Sequence, residues 1–143
     1  MRRTVAAQAA LFALAAMVLL TGCSREDSTP QGTVKAFMTA VASVEAEKAY
    51  ALLAPSTREA LKSRAAVASR HTGGRKQLKP ADMILLGLVQ SLHEVSSVEV
   101  LSESDTEAKV RLTSGSKEPA VEELNLVKEE NGWRILLKLP DPS

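Results

Sequence analysis

The hydrophobic repeat changes period near Glu94, and this change restricts the possible folds more than any other feature of the chain. Before it, apolar residues recur at helical spacing. Val34, Phe37, Met38, Val41 and Val44 make one face of an amphipathic helix. Beyond it, Val98 and Val100 alternate with Ser97 and Glu99, and Ala108, Val110 and Leu112 alternate with Glu107, Lys109, Arg111 and Thr113. Helices followed by an antiparallel meander give the α+β class, with three to four N-terminal helices packed on a four-stranded antiparallel sheet. At 143 residues the chain supports one such domain, spanning residues 30–143.

Punctuation residues set the element boundaries. Thr29-Pro30 reads as a threonine cap followed by proline at the first helical position. A short helix over residues 45–53 must stop before Pro55. Ser56-Thr57-Arg58-Glu59 has the spacing of a capping box and opens a third helix that runs to about Ser69. His71-Thr72-Gly73-Gly74 breaks that helix, and Lys79-Pro80-Ala81-Asp82 starts a fourth. The fourth carries Met83, Ile84, Leu85, Leu86, Leu88, Val89 and Leu92, apolar nearly all round, so it is either fully buried or a docking surface. In the sheet, Glu103-Ser104-Asp105 makes the first turn, Val121, Leu124, Leu126 and Val127 lie on the third strand, and Asn131-Gly132 is the last hairpin turn. Trp133, Ile135, Leu137 and Leu139 make the fourth strand, which Pro140 ends.

The chain opens on Met1-Arg2-Arg3, followed by an apolar run over residues 5–20 and then Thr21-Gly22-Cys23. A charged start, a short apolar stretch and small residues form a secretory leader rather than part of the fold. The run is short for a bilayer span of roughly 20 residues. Leu20-Thr21-Gly22-Cys23 resembles the bacterial lipobox, in which the cysteine thiol takes a diacylglyceryl group and the chain is cut between Gly22 and Cys23. The resemblance implies a leader of residues 1–22, a lipidated tether of residues 23–29 and a membrane partner reached through the N-terminal lipid. It also implies a place in the bacterial cell envelope. In that pattern Ser24 rather than Asp after the cysteine favours the outer membrane, on its periplasmic face, over the inner membrane. Losing Arg2 and Arg3 leaves sixteen basic against seventeen acidic side chains.

Three sequence patterns carry a second resemblance: Pro30-Gln31-Gly32-Thr33-Val34-Lys35-Ala36-Phe37, Ala49-Tyr50-Ala51-Leu52-Leu53, and Gly132-Trp133-Arg134-Ile135. In this order the chain resembles small bacterial lipoproteins of the nuclear transport factor 2-like (cystatin-like) superfamily. The resemblance covers residues 30–139 and implies a curved, cone-like sheet following the N-terminal helices. Members that are enzymes, such as ketosteroid isomerases and polyketide cyclases, place an Asp or His base in the cone opposite an acid or phenol donor.

The residues here fit that chemistry poorly. Tyr50 is the sole phenol, and the inward strand positions are Ala, Val and Leu. His71 lies in a basic loop. His93 ends an apolar helix, where the dipole alone accounts for an imidazolium, and Asp82 sits at a helix start. Metal ligand sets, phosphate-binding loops and cofactor motifs are absent from the sequence. A single cysteine closes no internal disulfide. A formal charge of +1 with four aromatic residues is no nucleic-acid footprint. The sequence therefore favours a non-catalytic binding or accessory module, taking a small apolar ligand or an envelope protein partner. Tyr50, Met83, Leu86 and Trp133 are its candidate ligand-binding residues. A cone-fold enzyme acting on a small apolar substrate is the alternative.

Charge is distributed unevenly. Residues 58–79 carry seven basic side chains against Glu59, and residues 94–130 carry ten acidic against four basic. The two regions either steady one another as solvated faces, or the basic one meets anionic lipid headgroups or a partner.

Overall fold

In the computed structural model, residues 28–88, 95–115 and 119–139 are described. They form α1 (Pro30–Ala42), α2 (Ala46–Ala51), α3 (Pro55–His71) and α4 (Asp82–Leu88), then β1 (Val95–Glu103), β2 (Glu107–Ser114), β3 (Ala120–Glu129) and β4 (Gly132–Leu136). The strands form an open antiparallel sheet in the order β1-β2-β3-β4. The α+β class and the four-stranded meander expected from the change in period are therefore present.

α1 begins as its sequence dictates. The Thr29 hydroxyl accepts a hydrogen bond from the Gly32 N–H at 3.0 Å, and Pro30 occupies the first turn. Its buried stripe is Thr33, Val34, Phe37, Ala40 and Val41. Val44 does not continue that stripe. The helix closes with the Val44 N–H donating to Val41 O (3.1 Å) and the Glu45 N–H donating to Ala40 O (2.8 Å), a Schellman arrangement. Val44 thus takes the position usually held by glycine, with φ of 59° and its side chain 70% exposed. A β-branched residue there crowds its own carbonyl and gains nothing from burial. Val44→Gly is expected to raise the unfolding free energy by about 1 kcal/mol. A denaturant midpoint that stays put or falls would contradict this.

α3 opens differently from the expected capping box. Pro55 is already helical, behind Ala54, which makes no side-chain cap. Ser56, whose spacing to Glu59 fits the box, is exposed within the first turn, while its neighbour Thr57 is buried and its hydroxyl accepts from the Leu137 N–H at 3.1 Å. A local motif yields here to a partner 80 residues away. The segment before α3 performs a related task. Ala54 N–H donates to Ile135 O (2.8 Å) and Ile135 N–H donates to Leu52 O (2.9 Å), with Leu53 bridged in parallel to Ile135. These bonds occupy the outer edge of β4, which would otherwise present unpaired backbone groups.

The sheet buries one face against the helices. Ala108, Val110, Leu112, Leu124, Leu126, Trp133 and Ile135 join Phe37, Leu53, Leu61 and Ile84 in a single core cluster. Val121, expected among the strand's apolar positions, is exposed instead. β1 pairs irregularly, with register shifts between Val95 and Ser97 and between Val100 and Ser102. Such bulges blunt an edge strand. β4 ends at Leu136, short of the expected Leu139. Its hairpin turn consists of Glu130 and Asn131, with Gly132 at φ of 116° supplying the backbone conformation that side chains avoid.

Candidate functional site

Three of the four candidate ligand-binding residues meet in the core. Trp133, at the start of β4, is 1% exposed within the cluster, and Tyr50 and Met83 pack against its border. Leu86 does not join them: it is 71% exposed on α4, two residues beyond the buried Ile84. The expected apolar helix is therefore two-sided over its described part, with Ile84 in the core and Leu86 in solvent. Val89, Leu92 and His93 lie outside the described residues, as do Gly22 and Cys23.

The polar parts of these side chains are satisfied unevenly. The Tyr50 hydroxyl donates to the Arg58 carbonyl at 3.3 Å, tying α2 to the first turns of α3. The Trp133 ring is covered by Lys128, whose Nζ lies 4.9 Å from the ring centroid, in cation–π range. Trp133 Nε1 is buried without a hydrogen-bond partner. Sequence reasoning missed Lys128, although its place in register opposite Trp133 across the hairpin could have marked it.

The remaining titratable candidates are peripheral. His71 is exposed, as is Asp105, the acid in the β1–β2 turn. The Asp82 carboxylate accepts from the Lys79 N–H at 3.3 Å, the usual work of an acid at a helix start. On α3, Lys62 titrates above the ordinary lysine value because its ammonium donates to Glu59 and feels that carboxylate's charge. Among the described residues no three His, Cys, Asp or Glu side chains gather as a metal site.

Two clefts open at the margins of the core cluster. One, of about 390 Å³, runs from Ser104 and Glu107 at the β1–β2 turn past the core residues Ala108 and Leu126 to Leu136 on β4. The other, of about 510 Å³, lies between α1 and β1, bounded by Lys35, Met38, Thr39, Val95, Ser96 and Val98. The Gln31 amide closes over this edge by donating to Val98 O at 2.7 Å. Neither cleft is lined by Tyr50, Met83, Leu86 or Trp133. The solvent face of the sheet carries a ladder of charges: Arg111 reaches Glu99 (3.8 Å) and Glu123 (3.4 Å), and Lys109 also reaches Glu123 (3.6 Å). Exposed pairs of this kind are worth at most about 1 kcal/mol each, so they set strand register more than stability.

A family model described as "Domain of unknown function (DUF4878)" matches residues 21–136, which takes in every element from α1 to β4. The chain belongs to this family. The DUF4878 match begins two residues before Cys23 and ends at the last residue of β4. No curated protein and no solved structure matches the chain. Among the described residues no helix is long and apolar enough to cross a membrane.

Proposed function

We propose that this DUF4878 chain is a bacterial lipoprotein whose α+β domain is a non-catalytic binding or accessory module of the cell envelope. The observation that carries this reading is Leu20-Thr21-Gly22-Cys23 at the end of an apolar run, with the sole cysteine of the chain at the acceptor position. Residues 1–22 are the leader. Cys23 becomes the acylated N-terminus, and residues 24–29 tether the domain. The fold is consistent with this division, since Ser28 and Thr29 are exposed and α1 starts at once behind the Thr29 cap. Ser24 favours delivery to the outer membrane, with the domain in the periplasm.

The helix-then-meander order, with the helices on one face of the sheet, also supports kinship with the nuclear transport factor 2-like superfamily. In that reading the apolar ground between helices and sheet, bordered by Tyr50, Met83 and Trp133, takes a small apolar ligand. The exposed Leu86 of α4 is then the point at which an envelope protein would dock.

Anchoring is tested by membrane fractionation of cells expressing wild type and Cys23→Ser. Wild type is expected in the membrane fraction after a high-salt wash. Cys23→Ser is expected either to keep its leader or to lose stable anchoring. Two acyl chains hold a protein firmly, whereas one binds only marginally. A wild-type chain found soluble after cleavage would overturn the reading.

A further inference from the structure

Residues 70–79 hold Arg70, His71, Arg75, Lys76 and Lys79 and no carboxylate. All five of these side chains are exposed. Elsewhere in the fold, several basic side chains are ion-paired: Lys48 with Glu45, Lys62 with Glu59, Lys109 with Glu123, and Arg111 with Glu99 and Glu123. Among the described residues, Arg70, Arg75, Lys76 and Lys79 form no ion pair. The nearest acid in sequence, Asp82, spends its carboxylate on a backbone N–H.

The loop also stands clear of the domain. Gly73 and Gly74 both take left-handed conformations (φ of 67° and 71°), and a Cβ at either would meet nothing within 4 Å. It is nonetheless held in shape. The Gly74 N–H donates to Ser69 O (3.1 Å), the Thr72 hydroxyl contacts Lys76 O (3.2 Å), and the Leu78 N–H donates to the Ser69 hydroxyl (2.9 Å). The four permanent charges are therefore displayed on a preorganised, projecting turn, at little ordering cost on binding.

We infer that this turn docks the domain on an anionic phospholipid surface. The inference deepens the lipoprotein reading and rests on it for proximity. A tether of six residues reaches at most about 20 Å, so the anchored domain stays within contact range of the bilayer. The tether does not choose which face turns to the membrane; the unpaired charges do. Each basic side chain at an anionic surface brings roughly a fivefold gain in partitioning, and salt removes it. No large apolar side chain is exposed in the turn, so contact is with headgroups rather than by insertion.

The test uses the membrane-extracted protein in vesicles carrying a headgroup quencher, with a fluorophore at Gln77→Cys or, as a control, at Asp105→Cys in the acidic β1–β2 turn. In vesicles with about one-third phosphatidylglycerol at low salt, quenching at position 77 is expected to exceed that in neutral phosphatidylcholine vesicles severalfold. The excess should vanish at 0.5 M salt and in the Arg70→Gln, Arg75→Gln, Lys76→Gln, Lys79→Gln variant, while position 105 stays unquenched throughout. Equal quenching at position 77 in neutral and anionic vesicles, or an excess untouched by salt or the variant, would overturn the inference and leave the turn solvated or open to an acidic protein. Failure of anchoring shows separately. The protein would then not float with neutral vesicles and Cys23 would take label, yet the comparison of positions 77 and 105 on anionic vesicles would still decide the role of the turn.

Discussion

Replacing Trp133 with alanine is expected to cost about 3–5 kcal/mol of folding stability, the range for deleting a large buried aromatic. The ring is 1% exposed and belongs to the cluster that joins the sheet to the helices. Domains of this size are stable by only about 5–15 kcal/mol, so the loss removes a large share of the total. Two control variants separate its parts. Lys128→Ala removes only the cation above the ring and should cost about 0.5–1 kcal/mol. Trp133→Phe keeps an aromatic body and also removes the buried, unpartnered indole N–H, so its cost should fall well below that of alanine. A denaturation curve for Trp133→Ala that hardly moves would place the ring outside the core and the β3–β4 register in error.

Phe37→Ala is expected to cost a similar amount, about 3–5 kcal/mol, for a different structural reason. Phe37 is the largest side chain on the buried stripe of α1 and is 1% exposed. Its removal leaves a cavity that α1 cannot collapse into, because the helix is pinned at its start by the Thr29 cap and along its side by the Gln31 bond to Val98 O. Phe37→Leu keeps most of the apolar volume and should cost less than about 1.5 kcal/mol. Equal losses for alanine and leucine in chemical denaturation would show that ring shape, not burial, sets the effect.

Much of this architecture is legible in the sequence. The change from helical to strand period is local, so α1, α3, β2 and the apolar face of the sheet follow from side-chain spacing. Thr29-Pro30 signals the start of α1 for the same reason, since cap and helix are neighbours. What the sequence hides is non-local. Ser56 has the spacing of a capping box, but the working hydroxyl is that of Thr57 beside it, which accepts from the distant Leu137 N–H. Leu52, Leu53 and Ala54 read as a helix end, yet their backbone groups close the edge of β4. Val44 continues an apolar spacing past the point where the helix hydrogen bonds have already ended.

The candidate site was legible only in part. Trp133 and Phe37 are apolar anchors in any fold that buries them, and both are buried. Whether Leu86 faced core or solvent could not be read from a segment apolar on all sides; the packing of Ile84 against the cluster decides it. The basic run of residues 58–79 was visible as composition. That the basic side chains of its last ten residues, from the end of α3 through the turn beyond it, are exposed and free of ion pairs depends on the tertiary arrangement, which no local pattern encodes.

The proposed function turns on the chemical state of Cys23, and the mass of the mature N-terminus tests it most directly. Protein extracted from membranes and digested should yield an N-terminal peptide that begins at Cys23 and carries a diacylglyceryl group on its sulfur. A peptide running unbroken through Gly22 and Cys23 with a free thiol, or a mature chain beginning elsewhere, would contradict the account.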